Sequence, residues 1–189
     1  DDAFPAMTAS GIKLADMSFH RCIDLLEQRM DYRALRAQQA QLRSRGIHRG
    51  IGLATFIKGT APGPNGYYGV GGAPISSQDA CTIKLEPNGG IVCAVGVTEQ
   101  GQGVNTVMTQ IAASGLGVPM DAIRLISGDT DATPYGGGTY ASRATAIGGE
   151  AVYQAARALR AEILSLAATL LQTKPESLDL VEGRILDTA

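Results

Sequence analysis

Apolar residues recur along this chain with two different spacings, which together predict a mixed α+β fold. Apolar residues three or four positions apart are typical of helices with one buried face, whereas strict alternation is typical of half-buried strands. The predicted helices span about 18–30, 31–45, 104–114 and 142–171, and the predicted strands span 49–58, 81–85, 91–97, 119–127 and a hairpin over 178–186. Residues 1–16 and the Gly- and Pro-rich stretch 59–74 predict irregular structure. The order of elements predicts a layered sandwich, in which helices pack on a mixed β-sheet.

The ends of the predicted elements are indicated by capping residues. Ser18 and Asp31 are candidate N-caps of the first two helices, and Ser142 of the longest one. Gly115 is the expected end of the third helix, because glycine readily adopts the left-handed conformation that closes a helix. The longest helix carries an apolar stripe at Ile147, Ala151, Val152, Ala155, Leu159, Ile163, Leu166 and Leu170. Two glycines in its first turns, 148 and 149, predict close packing against a neighbour.

Length and composition indicate a globular protein without a nucleic-acid or membrane role. The 189 residues are 44% hydrophobic and 18% charged, and the net charge is −2, so no basic field favours nucleic acid. No apolar run reaches membrane-spanning length, and no signal peptide is visible, so we expect a cytoplasmic protein, with the periplasm left open. The chain starts Asp1-Asp2 without an initiator Met, which indicates a piece of a longer polypeptide. We expect a helical lead-in over 1–48 and the α+β domain over 49–189.

The metal-ligating residue types are too scattered to predict a metal site. Three cysteines occur without CxxC spacing, so neither a zinc nor an iron–sulfur site is predicted. Cys81 and Cys93 fall on alternating strands and are expected to be buried free thiols. The two histidines are isolated. Asp129 and Asp131 lie in a Thr- and Gly-rich stretch, where carboxylates more often form turns than bind metal.

Two glycine-rich turns carry the candidate chemistry. Gly101-Gln102-Gly103 follows a predicted core strand and opens a helix, and Gln102 offers an acceptor and two donors without charge. Helix N-termini favour anions because their N–H groups are unpaired and the helix dipole is positive there. The alternative is a plain strand–helix turn that leaves Gln102 exposed to solvent.

The second turn joins Gly138 to Thr145 at the start of the longest helix. Small residues there allow backbone N–H groups to contact an oxygen-rich ligand, and Arg143 could clamp a phosphate with two hydrogen bonds. The alternative is an ordinary N-cap by Ser142 with a solvated Arg143. Two such turns in one domain predict a large, anionic, extended ligand.

These segments, in order, are GIGLATF, then CTIKLEPNGGIVCAVGVTEQGQGVNTVMTQIAASGLGVP, then ISGDTDATPYGGGTYASRATAIGGEAV. From about Gly50 to Leu171 the pattern resembles the molybdenum-binding large subunit of the xanthine dehydrogenase family. The likeness is greatest to bacterial subunits of the carbon monoxide dehydrogenase and aromatic N-heterocycle dehydrogenase type. The resemblance implies an oxidoreductase that hydroxylates an aldehyde, an N-heteroaromatic or a similar small substrate, with water as the oxygen source.

The resemblance also implies roles for the residues of both turns. Gln102 would hydrogen-bond a ligand of molybdenum, and Gly101 and Gly103 would line the pterin. The second turn would hold the pyrophosphate of molybdopterin and, in the bacterial cofactor, its cytosine nucleotide. Its implied cofactor-binding residues are Gly138, Thr139, Ala141, Ser142, Arg143, Ala144 and Thr145. The remainder of the large subunit and FAD and [2Fe-2S] partner subunits or domains would complete the enzyme.

The chain departs from the family pattern at four places. In the family, the catalytic glutamate belongs to a later Gly-Glu motif, and nothing after Arg143 matches that motif. Glu150 lies on the predicted long helix, and Glu182 lies in the predicted last hairpin. An upstream Gly-Phe-Gly segment is missing, Gln78 replaces a common Glu, and Gln100 replaces a common Met. We therefore expect a cofactor site that is only half present, and a chain that is inactive alone.

Two other functional classes stay open at this point. One is a non-catalytic binding or scaffold domain with the same architecture, which would be favoured if the two turns diverged. The other is a nucleotide-binding module unrelated to molybdenum, which would bind simple nucleotides without pterin. The enzyme interpretation requires the two turns to converge on one cleft.

Overall fold

The computed structural model describes residues 4–7, 13–58, 60–61 and 78–188. Contacts among these residues form two compact units, one ending at Ile57 and one that holds Lys58, 60–61 and 78–188. The division lies nine residues beyond the 48/49 boundary expected from the sequence, and that boundary stays a prediction. In the described part of the chain, no helix is long and apolar enough to cross a membrane.

The first unit contains a short antiparallel pair and two helices. Strands β1 (Ala6–Met7) and β2 (Lys13–Leu14) pair where irregular structure was expected, and helices α1 (Phe19–Met30) and α2 (Tyr32–Ser44) follow. The Asp31 side chain accepts from the N–H of Ala34 at 3.2 Å, which confirms the predicted cap of α2. Ser18 occupies the N-cap of α1 but makes no side-chain capping bond.

The strand predicted over 49–58 is wrong. These residues have no regular secondary structure, and Leu53 and Phe56 are 65% and 81% exposed. A β-strand needs a partner for its backbone groups, and no strand in the described part of the chain pairs with this segment. Most of the loop predicted over 59–74 lies outside the described residues.

The second unit is built on a three-stranded mixed sheet. Strands β3 (Cys81–Leu85), β4 (Ile91–Val95) and β5 (Ile123–Ser127) lie in the order β3-β4-β5. The predicted hairpin pairs β3 with β4 in antiparallel fashion, with Cys81 opposite Val95. The pair β4–β5 is parallel, with Ile91 opposite Ile123, because helix α3 (Val104–Leu116) carries the chain back between them.

Two helices cover this sheet, and the core lies beneath them. Helix α4 (Gly149–Leu171) continues a π-helical turn, Ala144–Gly148. The fully buried core residues come from β4, the loop just after it, α3 and α4, and include Cys93, Val95, Val97, Met108, Leu116, Val152 and Ala156. The predicted fold class, a mixed sheet with helices packed on it, is therefore confirmed. The hairpin of β6 (Leu178–Val181) and β7 (Arg184–Asp187) follows as expected.

Three predicted helix ends or faces differ from the structure. Helix α3 ends at Leu116 and is closed by Gly117, whereas Gly115 is buried inside it against Ala156. Ser142 does not cap the long helix, because its φ of 55° is left-handed and the helical run starts after it. The last apolar residues of the α4 stripe, Leu166 and Leu170, are 63% and 75% exposed.

The glycines at 148 and 149 allow the close packing that was predicted. A Cβ on Gly148 would lie 2.7 Å from Val97 Cγ1, and one on Gly149 would lie 2.8 Å from Ile111 Cδ1. Both distances are below the normal contact range for carbon atoms. The first turns of the long helical run therefore pack closely against Val97, just beyond β4, and against α3.

Candidate functional site

The loop that follows β4 enters α3 through a left-handed glycine. Val97 is fully buried, the chain then reaches the surface at Glu99, and Gly103 takes the N-cap position with φ 81°. Gly103 has no side chain that could bond the first N–H groups of the helix. Those donors must therefore find another acceptor, water or a ligand.

Glu99 supplies an acceptor for one of them and for two N–H groups of the loop before the helix. Its Oε1 accepts from the N–H groups of Gly101 and Gly103, both at 2.9 Å, and its Oε2 accepts from the N–H of Asn105, also at 2.9 Å. The hydrogen bond from Asn105, followed by those from Gly103 and Gly101, lowers the pKa of this carboxyl group. An anionic side chain of the protein therefore lies at the start of α3 and bonds the N–H of Asn105, the second residue of the helix. Sequence reasoning missed Glu99, although acidic residues near helix starts are a known signal.

Gln102 lies exposed on this loop and folds back onto it. Its Oε1 accepts from the N–H of Gln100 at 2.6 Å, and its Nε2 donates to the carbonyl of Thr98 at 3.4 Å. The second of these bonds is long. The amide can therefore exchange that bond for one to a ligand at little cost, and its carboxamide adds no charge to the site.

The second turn has a strained backbone that leads into the π-helical turn. Ala141 and Ser142 have φ values of 46° and 55°, and the N–H of Arg143 donates to the carbonyl of Tyr140 at 3.0 Å. Left-handed non-glycine residues and π-helical turns are both enriched at functional sites. The side chains of Ser142 and Thr145 are exposed, and their hydroxyls make no hydrogen bond within the described residues.

Arg143 is completely buried, contrary to the solvated alternative. Its Nη2 forms a 2.7 Å ion pair with Asp79 Oδ2, and the side chains of both residues are 0% exposed. Its Nη1 donates to the carbonyl of Gly138 at 2.5 Å, and its Nη2 also donates to the carbonyl of Gln78 at 3.1 Å. Asp79 Oδ1 in turn accepts from the N–H of Gly137 at 2.9 Å. The pair therefore fixes the glycine-rich segment from both sides.

The two turns meet at Thr139. Thr139 Oγ1 accepts from the N–H of Thr98 at 2.7 Å, and its carbonyl accepts from Gln100 Nε2 at 3.1 Å. Beside this contact, the backbones of Gly96 and Gly136 touch so closely that a Cβ on Gly136 would lie 2.5 Å from Gly96 Cα. The two turns are therefore in direct contact, and a common cleft for the cofactor stays a prediction.

The predicted site residues therefore fall into three groups. Gly101 and Gln102 are exposed and Gly103 is half-buried, in the loop that Glu99 holds. Gly138, Thr139 and Ala141 are half-buried beside that loop, and Ser142 and Thr145 are exposed at its edge. Arg143 and Ala144 are buried beneath them. Asp79 and Glu99 are the two residues that the structure adds.

The remaining polar clusters have structural contacts. Asp129 Oδ1 accepts from the N–H groups of Asp131 and Ala132, so Asp129 forms the turn that was predicted for it. The sulfurs of Cys81 and Cys93 lie 3.6 Å apart; both thiols are free, with Cys93 buried and Cys81 half-buried. Their hydrogen bond and the burial of Cys81 raise the pKa of the Cys81 thiol. No group of three potential metal ligands occurs among the described residues.

Comparison with known proteins identifies the family. The family model of the molybdopterin cofactor-binding domain matches residues 25–188. The nicotine 6-hydroxylase large subunit of Paenarthrobacter nicotinovorans is 33% identical over 95% of this chain. The carbon monoxide dehydrogenase large chain of Hydrogenophaga pseudoflava is 35% identical over 94% of it. The chain spans 22% of the length of each of these relatives.

Solved structures agree with the sequence comparisons. Quinoline 2-oxidoreductase from Pseudomonas putida 86 matches all of this chain with a TM-score of 0.62 and 31% identity, and the match covers 24% of the solved chain. The Cu,Mo-CO dehydrogenase in its carbon monoxide reduced state gives a TM-score of 0.60 and 30% identity, again over all of this chain and 24% of the other. This chain belongs to the molybdopterin cofactor-binding domains of the molybdenum hydroxylase family.

Proposed function

We propose that this chain forms one wall of a molybdenum-cofactor site in a larger oxidoreductase. That enzyme would hydroxylate a small aldehyde, N-heteroaromatic or similar substrate, with oxygen from water. The observation that carries the proposal is the pair of hydrogen bonds through Thr139, which bring both turns of the family pattern together. The meeting of the turns argues against the scaffold alternative, for which divergent turns were expected.

The donors of the second turn fit a phosphate-bearing group. Ser142 and Thr145 present two exposed hydroxyls that are not used by other described residues, at the start of a long helical run. Hydroxyls and backbone N–H groups near a helix start suit phosphate oxygens. We assign the pyrophosphate of molybdopterin, in its cytosine dinucleotide form, to this turn.

Arg143 lies buried beneath this turn and is consistent with that assignment. A direct clamp on a phosphate would require its guanidinium to leave Asp79, and removal of one partner from a buried ion pair is costly. We therefore propose that Arg143 supports cofactor binding indirectly. It donates to the carbonyl of Gly138 and thereby maintains the shape of the turn. Ala144, which is buried next to it, allows the backbone to lie close.

Gln102 is the residue of this chain that we place beside the molybdenum. When bound, the cofactor supplies the two-electron redox chemistry of the reaction. Gln102 can donate from its carboxamide to an oxygen there without a change in charge, and Gly101 and Gly103 leave room beside it for the pterin. Its long bond to Thr98 is the contact that it would give up.

The general base of the reaction is proposed to come from outside these residues. Glu150 accepts from Gln154 Nε2 at 2.7 Å on the exposed face of α4, and Glu182 lies in the β6–β7 turn. Neither glutamate is joined to the two turns by a hydrogen bond. We propose that the chain alone is inactive, and that FAD and [2Fe-2S] partners in the cytoplasm accept the electrons.

Metal and pterin analysis tests the proposal. The protein is purified from its host together with its associated subunits, and the isolated 189-residue chain is purified separately. We expect molybdenum and a pterin that releases CMP on acid hydrolysis in the first preparation and not in the second. Dye reduction with nicotine, quinoline, xanthine and carbon monoxide would then define the substrate class. Absence of molybdenum from both preparations would overturn the proposal in favour of a scaffold domain.

Replacement of Gln102 tests its role separately from cofactor binding. In the molybdenum-loaded enzyme, Gln102→Ala should lower kcat about tenfold, since one lost hydrogen bond of ~1.4 kcal/mol in the transition state corresponds to that factor. Molybdenum content should stay near that of the wild type. Gln110→Ala, at an exposed glutamine on the helix that follows, α3, is the control. An unchanged kcat in Gln102→Ala would contradict the assignment.

A further inference from the structure

Glu99 makes the densest set of hydrogen bonds in the loop between β4 and α3. Its two oxygens accept from three backbone N–H groups, those of Gly101, Gly103 and Asn105, each at 2.9 Å. Two of these donors flank Gln102 directly. The carboxylate therefore fixes the peptide units on both sides of Gln102, although it does not bond the Gln102 side chain.

The glycines around Gln102 explain why such a brace is required. Gly101 and Gly103 have φ values of 91° and 81°, and glycine loses more conformational freedom on ordering than any other residue. Without another contact, a Gly-Gln-Gly segment would sample many conformations and its amide many positions. Gln102 also has only one short bond of its own, from the N–H of Gln100.

Neighbouring contacts anchor both ends of the braced segment. The N–H of Thr98 donates to Thr139 Oγ1 before the loop. After it, Asn105 Oδ1 accepts from Ser127 Oγ at 2.9 Å and ties the first turn of α3 to the end of β5. Glu99 thus links two anchored ends through the flexible glycines between them.

We propose that Glu99 is a positioning residue that fixes the backbone on both sides of Gln102 and thereby limits where the Gln102 amide can reach. This inference rests on the proposed role of Gln102 beside the cofactor. The two turns also differ in charge. The loop before α3 carries the Glu99 carboxylate, which accepts from Gly101, Gly103 and Asn105, whereas the turn at Ser142 presents the hydroxyls of Ser142 and Thr145.

Glu99→Gln in the holoenzyme, with its associated subunits, is the most direct test. Glutamine keeps the size of the side chain and one oxygen for Gly101 and Gly103, but it brings an NH₂ group against the N–H of Asn105. Glu162→Gln, an exposed glutamate on α4, is the matched control for loss of one charge. Glu99→Asp, which keeps the carboxylate on a shorter side chain, serves as the rescue variant and as a substitute if Glu99→Gln does not fold.

Two measurements are made on each variant. Hydrogen–deuterium exchange followed by mass spectrometry reports opening of the peptide that covers 98–106. We expect exchange there to be about 5- to 30-fold faster in Glu99→Gln, the factor expected for loss of a capping interaction. The second measurement is kcat per bound molybdenum and KM, with the substrate that the dye-reduction assay identifies. We expect kcat to fall about tenfold with KM unchanged, and Glu99→Asp to recover part of both effects.

The outcomes separate this inference from the proposed function. Unchanged exchange over 98–106 would overturn the role of Glu99, whether or not the protein contains molybdenum. Faster exchange with loss of molybdenum but an unchanged kcat per molybdenum would also overturn it, because Glu99 would then act only on stability. A wild-type protein without molybdenum would instead contradict the proposed function, while the exchange experiment would still show whether Glu99 fixes the loop.

Discussion

At the scale of single residues, the site depends on two carboxylates in opposite environments. Asp79 is buried and paired with one cation, whereas Glu99 lies at the surface and accepts from backbone N–H groups. The first carboxylate holds the turn at Ser142 through Arg143. The second holds the loop that carries Gln102. Each therefore shapes one turn without being a ligand of the proposed cofactor.

The buried pair should dominate the stability of its turn. Asp79→Asn keeps an oxygen for the N–H of Gly137 but leaves Arg143 buried without a counter-charge, so we expect a loss of about 3–5 kcal/mol. Glu86→Gln breaks the partly exposed pair with Lys84 and should cost only ~0–1 kcal/mol. Urea unfolding followed by circular dichroism measures both. Equal effects of the two substitutions would show that the buried pair does not hold the turn.

Residues close in sequence were predictable, and partners distant in sequence were not. The two turns, the β3–β4 hairpin and the cap by Asp31 depend on neighbours within a few positions, so periodicity and turn chemistry identify them. The burial of Arg143 depends on Gln78, 65 residues earlier, and on Asp79 beside it. No local pattern marks Asp79 as its partner, and a lone arginine at a helix start is ordinarily solvated.

At the scale of elements, the end of α3 is fixed by packing against the last hairpin. Arg160 on α4 donates to the carbonyls of Leu116 at 2.6 Å and Leu180 at 2.7 Å, and it pairs with Asp179. The N–H of Gly183 donates to the carbonyl of Gly117 at 3.0 Å. Sequence reasoning ended α3 two residues early because Gly115 looks like a terminator. In the structure that glycine admits Ala156 of α4 instead.

Gly117 should therefore tolerate substitution less than another glycine of the same conformation. Its φ is 84°, close to the 85° of Gly89 in the β3–β4 turn, but a Cβ on Gly117 would overlap the carbonyl oxygen of Leu180. Gly89→Ala should cost ~1–2 kcal/mol for the left-handed conformation alone. Gly117→Ala should cost a further ~1–3 kcal/mol for the forced contact. Thermal unfolding compares the pair, and similar losses would contradict the packing argument.

At the scale of the whole molecule, the described surface includes large apolar side chains whose exposure to water is unfavourable. Leu166, Leu170 and Leu171 are 60–75% exposed near the end of α4, and two of them continue the stripe that the sequence predicts to be inward. The periodicity therefore predicts the helix correctly but does not predict whether other residues pack on its apolar face. A pattern of apolar residues shows that a face is apolar, and tertiary contacts decide whether it is covered.

The isolated 189-residue chain should self-associate through this surface. We expect its weight-average mass in sedimentation velocity to rise with concentration, because association removes apolar area from water. The double variant Leu166→Gln, Leu170→Gln should lower the association constant at least tenfold. Ala161→Gln, at an exposed position on the same helix, should leave it unchanged. A wild-type chain that stays monomeric at high concentration would refute this expectation.

The contact between Gly96 and Gly136 has a consequence for how this sequence can vary. A side chain on Gly136 would meet the backbone of Gly96, and one on Gly96 would meet the backbone of Gly136. Both residues are already glycine. A larger residue at one position therefore cannot be accommodated by a smaller residue at the other. In a saturation-mutagenesis library of all pairs, both positions should reject every substitution, with no rescuing double mutant. The close approach of the two segments at this point therefore cannot be changed by substitution at either glycine.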